Sequence, residues 1–139
     1  MIKAIFITVR NGSTRLPGKA MLEIEGLPTI EYLIQRLKYS KKADIIVLCT
    51  TLKKQDDSLI EIADRNSILS FRGDDEDKLE RWRGAAEKFN VDYFITADGD
   101  DTFCDPFLID LGFDQFERSQ VDFIQDGGVV CGSFTYGIK

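Results

Sequence analysis

From Ile2 to Val9 the chain alternates weakly and then becomes almost wholly apolar through Ala4, Ile5, Phe6, Ile7 and Val9, which fits a strand buried on both faces better than an amphipathic helix. Residues 20–24 read as extended, Glu25-Gly26 as a turn, and Pro28 as the first position of a helix, where its missing N–H costs nothing. That helix is predicted over about 29–39, because Ile30, Leu33, Ile34 and Leu37 recur at i, i+3, i+4 and i+7. A second buried strand is predicted over 44–51, a helix near 57–66 and a short strand over 68–72. Asp77 is placed to cap a helix over 78–89 that turns Leu79, Trp82, Ala86 and Phe89 to one side. A fourth strand over 92–97, a helix from Pro106 to about Ser119, and later strands over 121–124 and 133–138 complete the reading.

Strands alternating with helices predict an α/β fold, a Rossmann-like three-layer α/β/α arrangement with a mostly parallel sheet, whose ligands gather at the carboxyl ends of the strands. Three polar segments fall at such ends: 10–19 after the first strand, 72–77 after the third and 98–105 after the fourth. Neither a repeat nor a Pro/Gly/Ser linker divides the chain, so one domain over 1–139 is expected.

Composition changes this picture in two ways. The 139 residues are 43% hydrophobic and 30% charged, as in soluble globular domains, with no run of the roughly 18 to 20 apolar residues a membrane span requires. The N-terminus enters a strand pattern directly, so a cytoplasmic protein without membrane contact is expected. Cys49, Cys104 and Cys131 are spaced for neither a disulfide framework nor a zinc site. The net charge of -6 hides an asymmetry: residues 1–42 hold eight Lys/Arg and three Asp/Glu, and the remainder ten and twenty-one. An acidic chain argues against nucleic acid as a partner, while a basic first section facing acidic loops suits a small anion held together with a metal ion.

The basic section is concentrated in Arg10-Asn11-Gly12-Ser13-Thr14-Arg15-Leu16-Pro17-Gly18-Lys19. Its glycines allow close ligand approach, its N–H groups can converge on an anion, and Arg10, Arg15 and Lys19 supply charge against the roughly four negative charges of a nucleoside triphosphate. A P-loop is excluded, because five residues rather than four separate Gly12 from Gly18 and Ala20 follows Lys19. The dinucleotide fingerprint G-x-G-x-x-G is absent.

This motif resembles the opening of the cytidylyltransferases that make CMP-activated sugars, the acylneuraminate and 3-deoxy-manno-octulosonate enzymes and, most closely, the spore-coat polysaccharide branch. Phe71-Arg72-Gly73-Asp74-Asp75-Glu76-Asp77-Lys78-Leu79-Glu80-Arg81 is similar to that branch's Arg-Gly-Ser-Glu-Asp-Asp-Val-Leu-Asp-Arg segment, with Asp74 where serine is usual; Asp98-Gly99-Asp100 and Asp105-Pro106 match its later pair of motifs. The resemblance implies a nucleotide-diphospho-sugar transferase fold and transfer of CMP from CTP to a sugar or sugar phosphate. It implies that Arg10, Arg15 and Lys19 hold the triphosphate, with Gly12 and Ser13 adding hydrogen bonds. It further implies that Asp100 binds Mg²⁺, and that Thr50, Thr51, Arg72, Gly73 and Asp74 surround cytosine. Family members are longer, and 134–139 reads as a strand at the very end of the chain. A shortened domain is therefore expected, the family's usual dimer being a possibility.

Two points stay open. Asp98 and Asp101 rival Asp100 as the magnesium ligand, since a single well-placed carboxylate can start such a site. No histidine exists anywhere in the chain, so a hydroxyl nucleophile would need a carboxylate or metal to take its proton, whereas a sugar phosphate would need no base. A CTP-binding module without turnover and a transferase for another base are the alternatives. Trp82 and Phe94 fit the core better than a base-stacking role, and the buried-pattern thiols lack an activating histidine.

Overall fold

The computed structural model describes residues 1–125 and 127–139. Its centre is a six-stranded sheet built from β1 (Lys3–Thr8), β4 (Ile45–Thr51), β5 (Leu69–Gly73), β6 (Tyr93–Asp98), β7 (Phe123–Gln125) and β8 (Tyr136–Ile138), in the order β5-β4-β1-β6-β8-β7, with the short β2 (Glu23–Ile24) and β3 (Leu27–Pro28) set apart. The first four are parallel, and β8 runs antiparallel to both β6 and β7. The helices are α1 (Thr29–Leu37), α2 (Asp57–Arg65), α3 (Lys78–Phe89) and α4 (Pro106–Ser119).

Alternation along the strands sends side chains to two cores. Ile5, Ile7, Leu48 and Ile95 pack with Ile30, Leu33, Ile34 and Leu37 of α1, Leu59 and Ile62 of α2, and Ile109, Phe113 and Phe116 of α4. Ala4, Phe6, Val47, Cys49 and Phe94 face Trp82 and Ala85 of α3. At about 1.5–3 kcal/mol for each large apolar side chain removed from water, the four fully buried residues of α1 alone explain why that helix docks. Phe6 and Phe94 stack with centroids 4.3 Å apart, and Trp82 closes over Phe94 at 5.7 Å, so both rings are core, as their pattern predicted.

Three expectations are corrected. Residues 20–24 are not extended throughout: Lys19–Met21 form a 3₁₀ turn, and only β2 (Glu23–Ile24) extends, pairing antiparallel with β3 (Leu27–Pro28) around Glu25-Gly26. Pro28 consequently ends a strand and precedes the first helical residue instead of occupying it. The third correction concerns α3, which buries Arg81, Trp82 and Ala85 and leaves Leu79 66% exposed. Its start is set by Asp77, whose carboxylate accepts the Glu80 N–H at 3.0 Å, and that phase turns the 81/82/85 face to the sheet. The last two strands are shorter than predicted and lie at the antiparallel margin of the sheet.

Candidate active site

The loop after β1 is anchored by polar side chains that its apolar neighbours cannot reveal. Asp56, fully buried in the turn before α2, accepts the Asn11 N–H at 2.7 Å and the Thr51 hydroxyl, while the Asn11 amide donates to the Gln55 carbonyl at 2.7 Å and reaches Ser58 Oγ at 3.1 Å. At the loop's far end Gly18 has a φ of 67°, a left-handed conformation that favours glycine, and its N–H returns to the Asn11 carbonyl at 2.9 Å. The cradle is thus closed on itself before any ligand enters.

Opposite it, Gly99 donates to the Thr8 carbonyl at 2.9 Å, and a Cβ there would come within 2.7 Å of Val9. That close approach, open only to glycine, carries Asp100 alongside the end of β1. Arg10, Ser13, Lys19 and Asp100 line a cavity of about 150 Å³. Lys19 Nζ binds Asp100 Oδ2 at 2.6 Å, and this bond holds the Asp100 carboxyl below its ordinary range. A second cavity of about 240 Å³ adjoins the first through Thr8, Val9, Arg10 and Asp100, and is bounded on its far side by Glu76, Lys78 and Arg81. Lys78 pairs with Asp98 at 2.9 Å and lies over the Trp82 ring.

The other predicted residues take varied places. Arg15 is exposed and does not line the cavity, although its charge reaches Asp100. Gly12 lies against the Gln55 side chain. Thr50 and Thr51 are buried; the Thr51 hydroxyl donates to Asp56, and the Thr50 hydroxyl has no partner among the described residues. Arg72 is occupied structurally, donating to the Thr51 carbonyl at 2.8 Å, the Lys53 carbonyl at 2.6 Å and Asp57 at 2.6 Å. A Cβ at Gly73 would sit 2.7 Å from Phe71 Cε1 and 3.0 Å from Arg81 Cγ. Asp74 accepts the N–H groups of Glu76 and Asp77, at 2.9 and 2.6 Å, and these bonds lower its pKa.

Asp98 is held by Lys78, and burial followed by the charges of Asp98 and Asp100 pushes Asp101 up. Asp100 is therefore the carboxylate of the three that lines the cationic cavity and is held charged there. Among the described residues no three His, Cys, Asp or Glu side chains form a metal cage. One half-exposed carboxylate beside an anion cradle suits a hard cation that keeps several waters and arrives with its phosphates. Burial pushes the Cys49 and Cys104 thiols up to about 12, so neither is a nucleophile at neutral pH.

An anion cradle at the carboxyl end of a parallel sheet, at the crossing from β4-β1 to β6, is the arrangement of nucleotide-binding α/β domains. The chain belongs to the cytidylyltransferase family, whose model matches residues 4–136. It is 33% identical over 109 residues to the spore coat polysaccharide biosynthesis protein SpsF of Bacillus subtilis, covering 76% of this chain and 45% of that protein. It is 32% identical over 111 residues to an Escherichia coli 3-deoxy-manno-octulosonate cytidylyltransferase, covering 76% and 43%. A solved cytidylyltransferase from Leptospira borgpetersenii superposes with a TM-score of 0.92 at 31% identity, over 99% of this chain and 60% of that one. The chain spans about half the length of the curated relatives it matches.

Proposed function

We propose that this chain binds CTP and transfers CMP to a sugar or sugar phosphate in the making of cell-surface polysaccharide. The observation that carries the reading is the first cavity, lined by Arg10, Ser13, Lys19 and Asp100 at the mouth of a preformed loop. In the reaction an acceptor oxygen bonds to the α-phosphorus, the α–β anhydride bond breaks, and pyrophosphate leaves with the electron pair; a hydroxyl acceptor also loses its proton. Arg10 orients the triphosphate from its fixed position after β1. Lys19 exchanges its Asp100 partner for a phosphate oxygen and, with Arg15 folding in from solvent, meets the charge that grows on the departing pyrophosphate. Ser13 and the Gly12 N–H supply hydrogen bonds to the same oxygens. Asp100, released by Lys19, would hold Mg²⁺, which supplies charge neutralisation across the phosphates when bound. Cytosine contacts come from the main-chain groups of Thr50, Thr51 and Gly73 and from the exposed Asp74, whose Oδ1 already accepts two N–H groups.

Pyrophosphate release with CTP, Mg²⁺ and candidate acceptor sugars tests the reading. Replacing Lys19 or Arg15 with alanine is expected to slow release by about a hundredfold, the scale for removing one group that meets transition-state charge. Equal rates for wild type and both variants, or no CTP binding by any, would overturn it. A second reading, CTP binding without turnover, predicts calorimetric binding of CTP·Mg²⁺ and no pyrophosphate with any acceptor.

A further inference from the structure

Arg81 is 3% exposed, yet among the described residues its guanidinium makes no hydrogen bond and no ion pair, and its Nε is fully buried without a partner. A buried, unpaired guanidinium is strongly disfavoured, and burial accordingly lowers its pKa. Two carboxylates whose charges act on it, Asp74 and Asp56, already accept other donors. Asp74 accepts two main-chain N–H groups, and Asp56 accepts from Asn11 and Thr51. Cys49 beside it is a neutral thiol, and Arg10 repels it. A Cβ at Gly73 would meet Phe71 Cε1 at 2.7 Å and Arg81 Cγ at 3.0 Å, so the glycine leaves room for both side chains.

The side chain borders the second cavity, whose lining differs in charge from the first. There Arg10, Lys78 and Arg81 are balanced by Glu76, Asp98 and Asp100, whereas the first cavity sets Arg10 and Lys19 against Asp100 alone. The phosphates therefore belong in the first. A charge-balanced pocket with one unsatisfied planar donor suits a neutral ring that presents two adjacent acceptors. Cytosine has such an edge in O2 and N3. Uracil does not, because its N3 carries a hydrogen that would oppose the guanidinium donors. Of the other guanidiniums of this region, Arg72 is already used by Asp57 and two carbonyls, and Arg10 donates to the Asp75 carbonyl at 3.3 Å.

We propose that Arg81 is the residue that selects cytosine over uracil, its fork donating to the O2/N3 edge of the base from the second cavity. The assignment rests on the CTP reading above, and the test separates the two. Affinities of wild type, Arg81→Met and Arg81→Lys are measured by calorimetry for CTP, UTP, 3-deaza-CTP (which lacks the N3 acceptor) and inorganic tripolyphosphate, with thermal melts to confirm folding. A bidentate base contact is worth about 1–3 kcal/mol of discrimination, or roughly tenfold to a hundredfold in affinity. Wild type is expected to bind CTP tighter than UTP and 3-deaza-CTP by that factor. Both variants are expected to lose the preference while keeping wild-type affinity for tripolyphosphate; lysine retains charge but not the fork, so it decides the matter should methionine prevent folding.

An equal fall for CTP, UTP and tripolyphosphate would make Arg81 a phosphate ligand and overturn the assignment. Wild-type indifference to 3-deaza-CTP, or unchanged selectivity in folded variants, would do the same while leaving CTP binding intact. Folded wild type that binds no CTP would overturn both readings together.

Discussion

Asp56 shows how much of the site depends on a residue that contacts no ligand. Its carboxylate joins the Asn11 N–H to the Thr51 hydroxyl in a fully buried position, so its loss strands two donors. Asp56→Ala is expected to destabilise the fold by about 1–3 kcal/mol, measured by urea denaturation, and to weaken CTP binding through the loosened loop. Nothing local in the sequence marks Asp56, because its partner Asn11 lies 45 residues away. Arg10, Ser13, Lys19 and Asp100 were legible as candidates because their types and spacing form a pattern; whether each lines the cavity was not, as Arg15 and Arg72 demonstrate. The thiols offer a contrast at the same scale. Cys49 and Cys104 are buried and Cys131 is exposed, so a thiol reagent at pH 8 is expected to label Cys131 rapidly in native protein and the other two only after unfolding.

At the scale of elements, α3 is the piece whose orientation matters most. Its phase brings Trp82 under the sheet, Lys78 to Asp98 and Arg81 to the second cavity, and the Trp82 indole N–H donates to the Thr8 hydroxyl at 2.8 Å. Trp82→Ala is expected to cost about 3–5 kcal/mol, and Asp77→Ala, which removes the cap, about 1 kcal/mol, both read from urea midpoints. The predicted span of about 78–89 agrees with the observed helix, since the apolar period and the Asp77 cap are local signals. Of its predicted apolar face Trp82 is buried and Ala86 and Phe89 pack against the same core, while Leu79 is outside. Leu79 is apolar and lies one turn before Trp82, but pairing with the sheet buries the arginine and leaves the leucine outside, a choice made by tertiary packing over propensity.

Across the whole molecule, charge is tied to stability through Glu31, buried on α1. Arg65 and then Asn66 of the α2 end bind its carboxylate, which lowers its pKa below the ordinary 4.5. A depressed carboxylate stabilises the fold fully above its unfolded pKa and loses that contribution as pH falls through the folded one. Urea midpoints of wild type are therefore expected to decline as pH drops below about 4.5, and Glu31→Gln, less stable at neutral pH, is expected to show a flatter decline. Among the described residues no helix is long and apolar enough to cross a membrane.

The run of buried strands and capped helices could be read along the chain because hydrophobic period and helix ends are properties of neighbouring residues. So could the cradle, as a dense local motif of cations, glycines and proline. The antiparallel return of β8 beside β6, the division of the strand ends into a cationic and a charge-balanced cavity, and the isolation of Arg81 depend on contacts between distant segments. In those places side chains compete for the same partners. Asp57 takes Arg72, main-chain N–H groups take Asp74, and the buried Arg81 Nε is left without a partner among the described residues. Such competition is resolved only when the segments are packed together, which no order of residues displays.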